Sequence, residues 1–235
     1  MGEKIEKIDR GNYKFELHGN ILDQVNHIEK VIESNRKRVL SFFGRKDMDS
    51  CYIHVFEDMA EIKRYLNDNC IMSYEEQPDY LCGVERLKKI FYLSYEDPYF
   101  KNNDYTQEDY DKVIVHEFIH LVEDKIFPRH PEWLSEGIAC YLSGQYKNGP
   151  EYVMDNYVKN YKMPDIKDLK GETFKTDNYD GYDLSYLMVC YLIEILGKKE
   201  FVEMLKDRSQ IEYIETKVLQ ETLEFYKERQ SEMIK

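Results

Sequence analysis

Residues 113–122 read Val-Ile-Val-His-Glu-Phe-Ile-His-Leu-Val, which sets two histidines and a glutamate inside a nearly continuous apolar run. So dense a run predicts a buried helix. Thr106 suits its N-cap, Glu108 and Asp109 suit its positive end, and Phe127-Pro128 would stop it. Burying three ionisable side chains there without a partner would cost on the order of a few kcal/mol. The helix supplies a solution. His116 and His120 are four apart, so they share a face with Cβ atoms about 5–6 Å apart. Both imidazoles can then reach one ion at roughly 2.0–2.1 Å. Glu117 follows His116 by one position and points about 100° away, so it cannot easily ligate the same ion. It can instead lean over an open coordination position and hold a water there. This H-E-x-x-H pattern points to one bound Zn2+, a water acidified by it, and Glu117 as general base.

A catalytic zinc takes three protein ligands and a water. The chosen third ligand is Glu136, within Trp133-Leu134-Ser135-Glu136-Gly137, with fifteen residues between it and His120. It falls on a helix expected from about Pro131 to Gly144. The connection before that helix holds two prolines and lets the chain turn back. Gly137 would let the two helices pack closely, and Trp133 and Leu134 would anchor the second in the core. Other donors lie nearby. His130 is separated from His120 by nine residues, and Asp124 sits four after His120, where it could ligate or support a histidine, with an ordinary helix-end carboxylate the expected reading. Glu123 reads as a solvated acid.

The remaining pattern predicts an α+β protein: a small mixed β-sheet lobe over 1–104, then a mainly helical lobe over 105–235, together one catalytic unit with its site in the cleft. Tyr13, Phe15 and Leu17 alternate as a strand does. Ile21, Val25, Ile28, Ile32, Val39 and Phe42 keep a helical period that Gly44 ends. Cys51–Phe56 reads as a strand, and Met59, Ile62 and Leu66 as a helix. Tyr80–Val84 and Ile90–Tyr95 read as strands joined by a turn over 85–89. Further helices are expected near 151–161, 182–196, 198–207 and 212–229. An edge strand at 81–84 or 90–95 could pair with an extended peptide.

Composition narrows the partners. A net charge of −13 would repel phosphate backbones, so nucleic acid is not an expected partner. No apolar run approaches the roughly 18 residues of a membrane span, and no secretory signal opens the chain. A cytoplasmic protein with a peptide or protein substrate is the expectation, although a trimmed secreted chain would look the same. Oligomeric state is not readable. The five cysteines are scattered with no C-x-x-C pair, which argues against disulfides and thiolate zinc and favours small buried hydrophobes.

Three stretches carry a family resemblance: His116-Glu117-Phe118-Ile119-His120; Trp133-Leu134-Ser135-Glu136-Gly137-Ile138-Ala139, similar to a W-L-x-E-G-x-A segment; and Tyr182-Asp183-Leu184-Ser185-Tyr186, continuing to Gly197. With these the chain resembles the gluzincin metallopeptidases, the peptidase MA-like group that includes thermolysin and the aminopeptidase N family. The resemblance implies a zincin-like catalytic domain, with His116, His120 and Glu136 on zinc and Glu117 as base. It also implies that Tyr182 donates a hydrogen bond to the developing oxyanion, with Tyr179 and Tyr186 near enough to replace it. The implied activity is zinc-dependent peptide hydrolysis. The alternative is a catalytically silent zinc protein of this kind that binds peptides or regulates. No G-A-M-E-N-like stretch, which reads a free amino terminus in the aminopeptidases, precedes the zinc helix. The spacing from His120 to Glu136 is shorter than theirs, and Cys140 stands where a carboxylate would follow Glu136.

Overall fold

A computed structural model describes residues 5–78, 81–127 and 129–233. Tyr80 and Pro128, expected to open a strand and to stop the zinc helix, lie outside the described residues. Residues group into two units, Met1–Lys125 and Ile126–Lys235. The change from strands to helices near residue 104 falls within the first.

The first unit runs β1 (Ile5–Arg10), β2 (Tyr13–His18), α1 (Leu22–Phe42), β3 (Cys51–Phe56), α2 (Met59–Asp68), β4 (Gly83–Arg86), β5 (Lys89–Leu93), α3 (Pro98–Asn102) and nearly all of α4 (Gln107–Ile126). Its sheet has the order β1-β2-β3-β5-β4. The central pairs β2–β3 and β3–β5 are parallel, and both edge strands pair antiparallel. The sheet is therefore mixed, and the fold class is the expected α+β.

Period-two alternation sorts the side chains onto two faces. Tyr13, Phe15, Leu17, Cys51, Ile53, Val55, Ile90 and Tyr92 are buried on one face. That face lies under α1 and α4. The Tyr13 hydroxyl donates to Glu33 of α1, and the Tyr92 hydroxyl donates to the Ile114 carbonyl of α4 at 2.7 Å. Tyr110 of α4 returns a bond to the Leu93 carbonyl at 2.9 Å. On the opposite face His54, Phe56 and Phe91 lie against Tyr65 of α2, whose Ile62 and Leu66 are fully buried.

Two features of the sheet differ from expectation. Strand β1 was not anticipated, because Ile5 and Ile8 do not alternate and most of the strand is exposed. It is held by backbone pairing to β2. The β4–β5 hairpin is tighter than expected, with only Leu87 and Lys88 in its turn, at φ 55° and 60°. No Asn-Gly marks that turn in the sequence.

The second unit holds α5 (Glu132–Ser143), α6 (Gly149–Asn160), β6 (Lys175–Thr176), β7 (Tyr179–Asp180), α7 (Gly181–Leu196), α8 (Lys198–Met204), α9 (Arg208–Glu215) and α10 (Val218–Met233). The apolar α7 is its centre, with α5, α6, α8 and α10 against it. The partner that requires Gly137 is α7 rather than the zinc helix expected. A Cβ on Gly137 would lie 2.3 Å from the Ser185 carbonyl oxygen and 2.6 Å from Val189 Cγ2. Trp133 and Leu134 are buried as expected, and the Trp133 indole donates to Glu215 at 2.9 Å. The single helix expected over 212–229 is broken at Thr216, whose hydroxyl bonds the Tyr213 carbonyl and closes α9. Among the described residues, no helix is long and apolar enough to cross a membrane.

Candidate metal centre

Helix α4 begins with a reciprocal cap. The Asp109 amide donates to Thr106 Oγ1 at 3.2 Å, and the Thr106 amide donates to Asp109 Oδ2 at 3.0 Å. Two turns on, His116 is buried and His120 half-buried, with ring centroids 4.7 Å apart and planes at 75°. Their Nε2 atoms are 3.0 Å apart. Two donors each roughly 2.0–2.1 Å from one ion can be no more than about 4.2 Å apart, so this pair fits a single zinc.

The far side of His120 corrects a reading of the sequence. Glu123 is not a solvated acid. It is 5% exposed, with Oε2 3.9 Å from His120 Nδ1, whereas Asp124 is exposed. Residues three and four along a helix are equally near in spacing, and packing against the rest of the unit selects the third. The Glu123 carboxylate thus faces the Nδ1 side of His120.

Glu117 is buried beside the pair, at the foot of strand β4. A Cβ on Gly83 would lie 2.8 Å from Glu117 Cγ, 3.2 Å from Tyr92 Cδ1 and 3.3 Å from Val113 Cγ1. Bare backbone at Gly83 therefore makes the space that Glu117 occupies. The sequence carries no signal for this role beyond a glycine within a strand. Next to it, burial pushes the Cys82 thiol up to about 12, and the nearby Glu117 charge adds to the effect.

In the second unit, Glu136 sits on α5, half-buried. Burial pushes the Cys140 thiol well up, and the charges of Glu136, Asp180 and Asp183 act in the same direction. Tyr182 lies in the first turn of α7, where Asp180 accepts from its amide at 2.9 Å. Its ring meets Phe174 edge-on at 4.9 Å, with Lys175 Nζ 5.9 Å from its centroid. The other two tyrosines also have partners. The Tyr179 hydroxyl donates to the Thr173 carbonyl at 2.6 Å, and Tyr186 is buried and stacked on Tyr146 at 4.3 Å. His130 is likewise committed, with Nε2 2.9 Å from the Leu205 carbonyl oxygen. All five cysteines are free thiols, but Cys70 is exposed and Cys190 half-buried, so the buried reading holds only for Cys51, Cys82 and Cys140.

No curated protein matches the sequence. Among solved structures, the chain is similar to an aminopeptidase N family protein from Idiomarina loihiensis, at 12% identity and a TM-score of 0.47, over 86% of this chain and 41% of that one. Yeast LTA4 hydrolase in complex with bestatin is similar at 17% identity and a TM-score of 0.45, over 97% of this chain and 37% of that one. The chain thus spans less than half the length of either protein. A family model described as the peptidase MA superfamily matches residues 103–222, from just before α4 into α10. The chain belongs to the peptidase MA superfamily.

Proposed function

We propose that this chain is a zinc-dependent metallopeptidase of the gluzincin type, hydrolysing peptide bonds. The observation that carries the reading is the α4 pair: two imidazole Nε2 atoms 3.0 Å apart, with Glu117 buried beside them in the space left by Gly83. Superfamily membership supports it. We assign Glu136 as the third ligand beside His116 and His120, and three protein ligands would leave a fourth position for water. A bound zinc ion would supply an acidified water and polarise the scissile carbonyl.

The chain's own groups account for the proton traffic. Glu117 takes a proton from the attacking water and returns it to the leaving nitrogen. Tyr182 donates a hydrogen bond to the oxygen that gains charge as the carbonyl is attacked. Tyr182 is the choice because its stretch, Tyr182-Asp183-Leu184-Ser185-Tyr186, carries the family resemblance, with Tyr179 and Tyr186 as the alternatives.

An unbiased peptide library, incubated with and without chelator, tests the activity. Chelator-sensitive cleavage is expected. Glu117→Ala should keep zinc and lower turnover by about 100-fold or more. Glu136→Ala should sharply lower the zinc bound at the α4 centre. A chain that binds zinc stoichiometrically and cleaves nothing in the library would instead be a peptide-binding module. Full zinc retention in Glu136→Ala would reject the third ligand.

A further inference from the structure

On the sheet face opposite α4, three metal-binding side chains meet that the peptidase reading does not use. Strand β2 carries Glu16 and His18 two apart, so they share a face. Strand β3 runs parallel to β2 in a register that places His54 directly opposite Glu16. His18 and His54 are buried at 1% and 5% exposure, and Glu16 is half-buried. Their donor atoms form a nearly equilateral triangle. His18 Nε2 is 3.3 Å from Glu16 Oε1, His54 Nδ1 is 3.5 Å from the same oxygen, and the two nitrogens are 3.4 Å apart.

These lengths are informative. Good N–H···O bonds fall at about 2.7–3.2 Å, so all three separations are too long for strong hydrogen bonds. Four ligands at roughly 2.0–2.1 Å around a tetrahedral ion lie about 3.3–3.4 Å from one another, which is the size of this triangle. The carboxylate is also divided suitably. Lys7 pairs with Glu16 Oε2 at 3.1 Å and leaves Oε1 to the imidazoles. Aromatic rings hold both imidazoles in place. Phe56 stacks on His18 at 4.2 Å, Phe91 stacks on His54 at 4.8 Å, and Tyr65 meets the edge of His18 at 4.8 Å.

We propose that Glu16, His18 and His54 form a second site for a divalent transition-metal ion, Zn2+ or one of similar ligand preference, which ties β2 to β3. Water would complete the coordination. The site is separate from the α4 centre and does not depend on the peptidase reading.

The test removes the α4 pair and counts metal. The His116→Ala/His120→Ala chain is stripped with chelator, reloaded with Zn2+, dialysed and analysed for zinc. It should retain about one zinc per chain, and adding His54→Gln should abolish that zinc. Cobalt in the same background should give the visible absorption of a tetrahedral site, lost with His54→Gln. Circular dichroism checks each fold. Should the buried His54→Gln fail to fold, the more exposed Glu16→Gln replaces it, with loss of zinc again expected. A folded His116→Ala/His120→Ala chain that retains no zinc overturns the proposal, as does zinc that survives either substitution. Because the readout is metal content without the α4 histidines, an inactive enzyme would leave this result standing.

Discussion

In the first unit, a helix packed on one face of the sheet and the strands of the opposite face each carry two histidines and a glutamate close together, in different geometries. On α4 the residues lie within five positions, and the helix turns Glu117 about 100° away from the histidines it adjoins. Their Nε2 atoms come within 3.0 Å, and the glutamate stays out of the pair. Across β2 and β3, register brings Glu16 to the same point as His18 and His54, at 3.3–3.5 Å. There the proposal uses the carboxylate as a donor. On the proposed roles, the contrast separates a glutamate placed to move a proton from one placed to help hold an ion. Backbone geometry decides between those roles, with identical side chains.

Three substitutions would break or sharpen this contrast. The largest effect is expected from Gly83→Ala. Its new methyl would displace Glu117 and not the histidines, so turnover should fall by about 100-fold while zinc content holds. Kinetics and metal analysis on the same preparation check this, and a fall in both together would mean that Glu117 and the histidines are not independent. Next, Glu123→Gln should weaken zinc binding by the α4 pair about tenfold, read by competition with a chelating dye, without altering zinc held by the sheet cluster. Equal weakening at both places would point to general destabilisation. The smallest effect is expected from Lys7→Ala. Lys7 is 77% exposed, so its repulsion of a dication is screened, and the sheet cluster should gain no more than about fivefold in zinc affinity. A much larger change would show that Lys7 sets the position of Glu16.

The two groups also differ in how far the sequence reveals them. The α4 pair is legible because a helix turns sequence spacing directly into geometry. The apolar run, the cap at Thr106 and the i, i+4 histidines are all local. The sheet cluster joins residues 36 apart, and only strand register relates them. A trace of it exists in Glu16-x-His18, the polar partner of the Tyr13, Phe15, Leu17 alternation. Strand β1 was invisible because its pairing is through the backbone and its side chains are mostly exposed. Glu123 was misread because helical spacing gives i+3 and i+4 similar standing, and burial alone distinguishes them. Gly137 was assigned the wrong neighbour because a glycine announces a close approach without naming what approaches. The parallel strands and the five-stranded order likewise rest on long-range pairing that no local pattern encodes.

The tip of the β4–β5 hairpin has a consequence for engineering. Leu87 and Lys88 both sit in the left-handed region, where a side chain crowds its own carbonyl at a cost of roughly 1–2 kcal/mol per residue. Glu85 offsets part of this by accepting the Lys88 amide at 2.9 Å. Leu87 itself is 72% exposed. Asn and Gly tolerate this backbone path, so the strand that brings Gly83 to Glu117 can be made firmer from its solvent end, with every donor atom unchanged. Thermal tolerance and chemistry can thus be adjusted through separate residues of the same short hairpin.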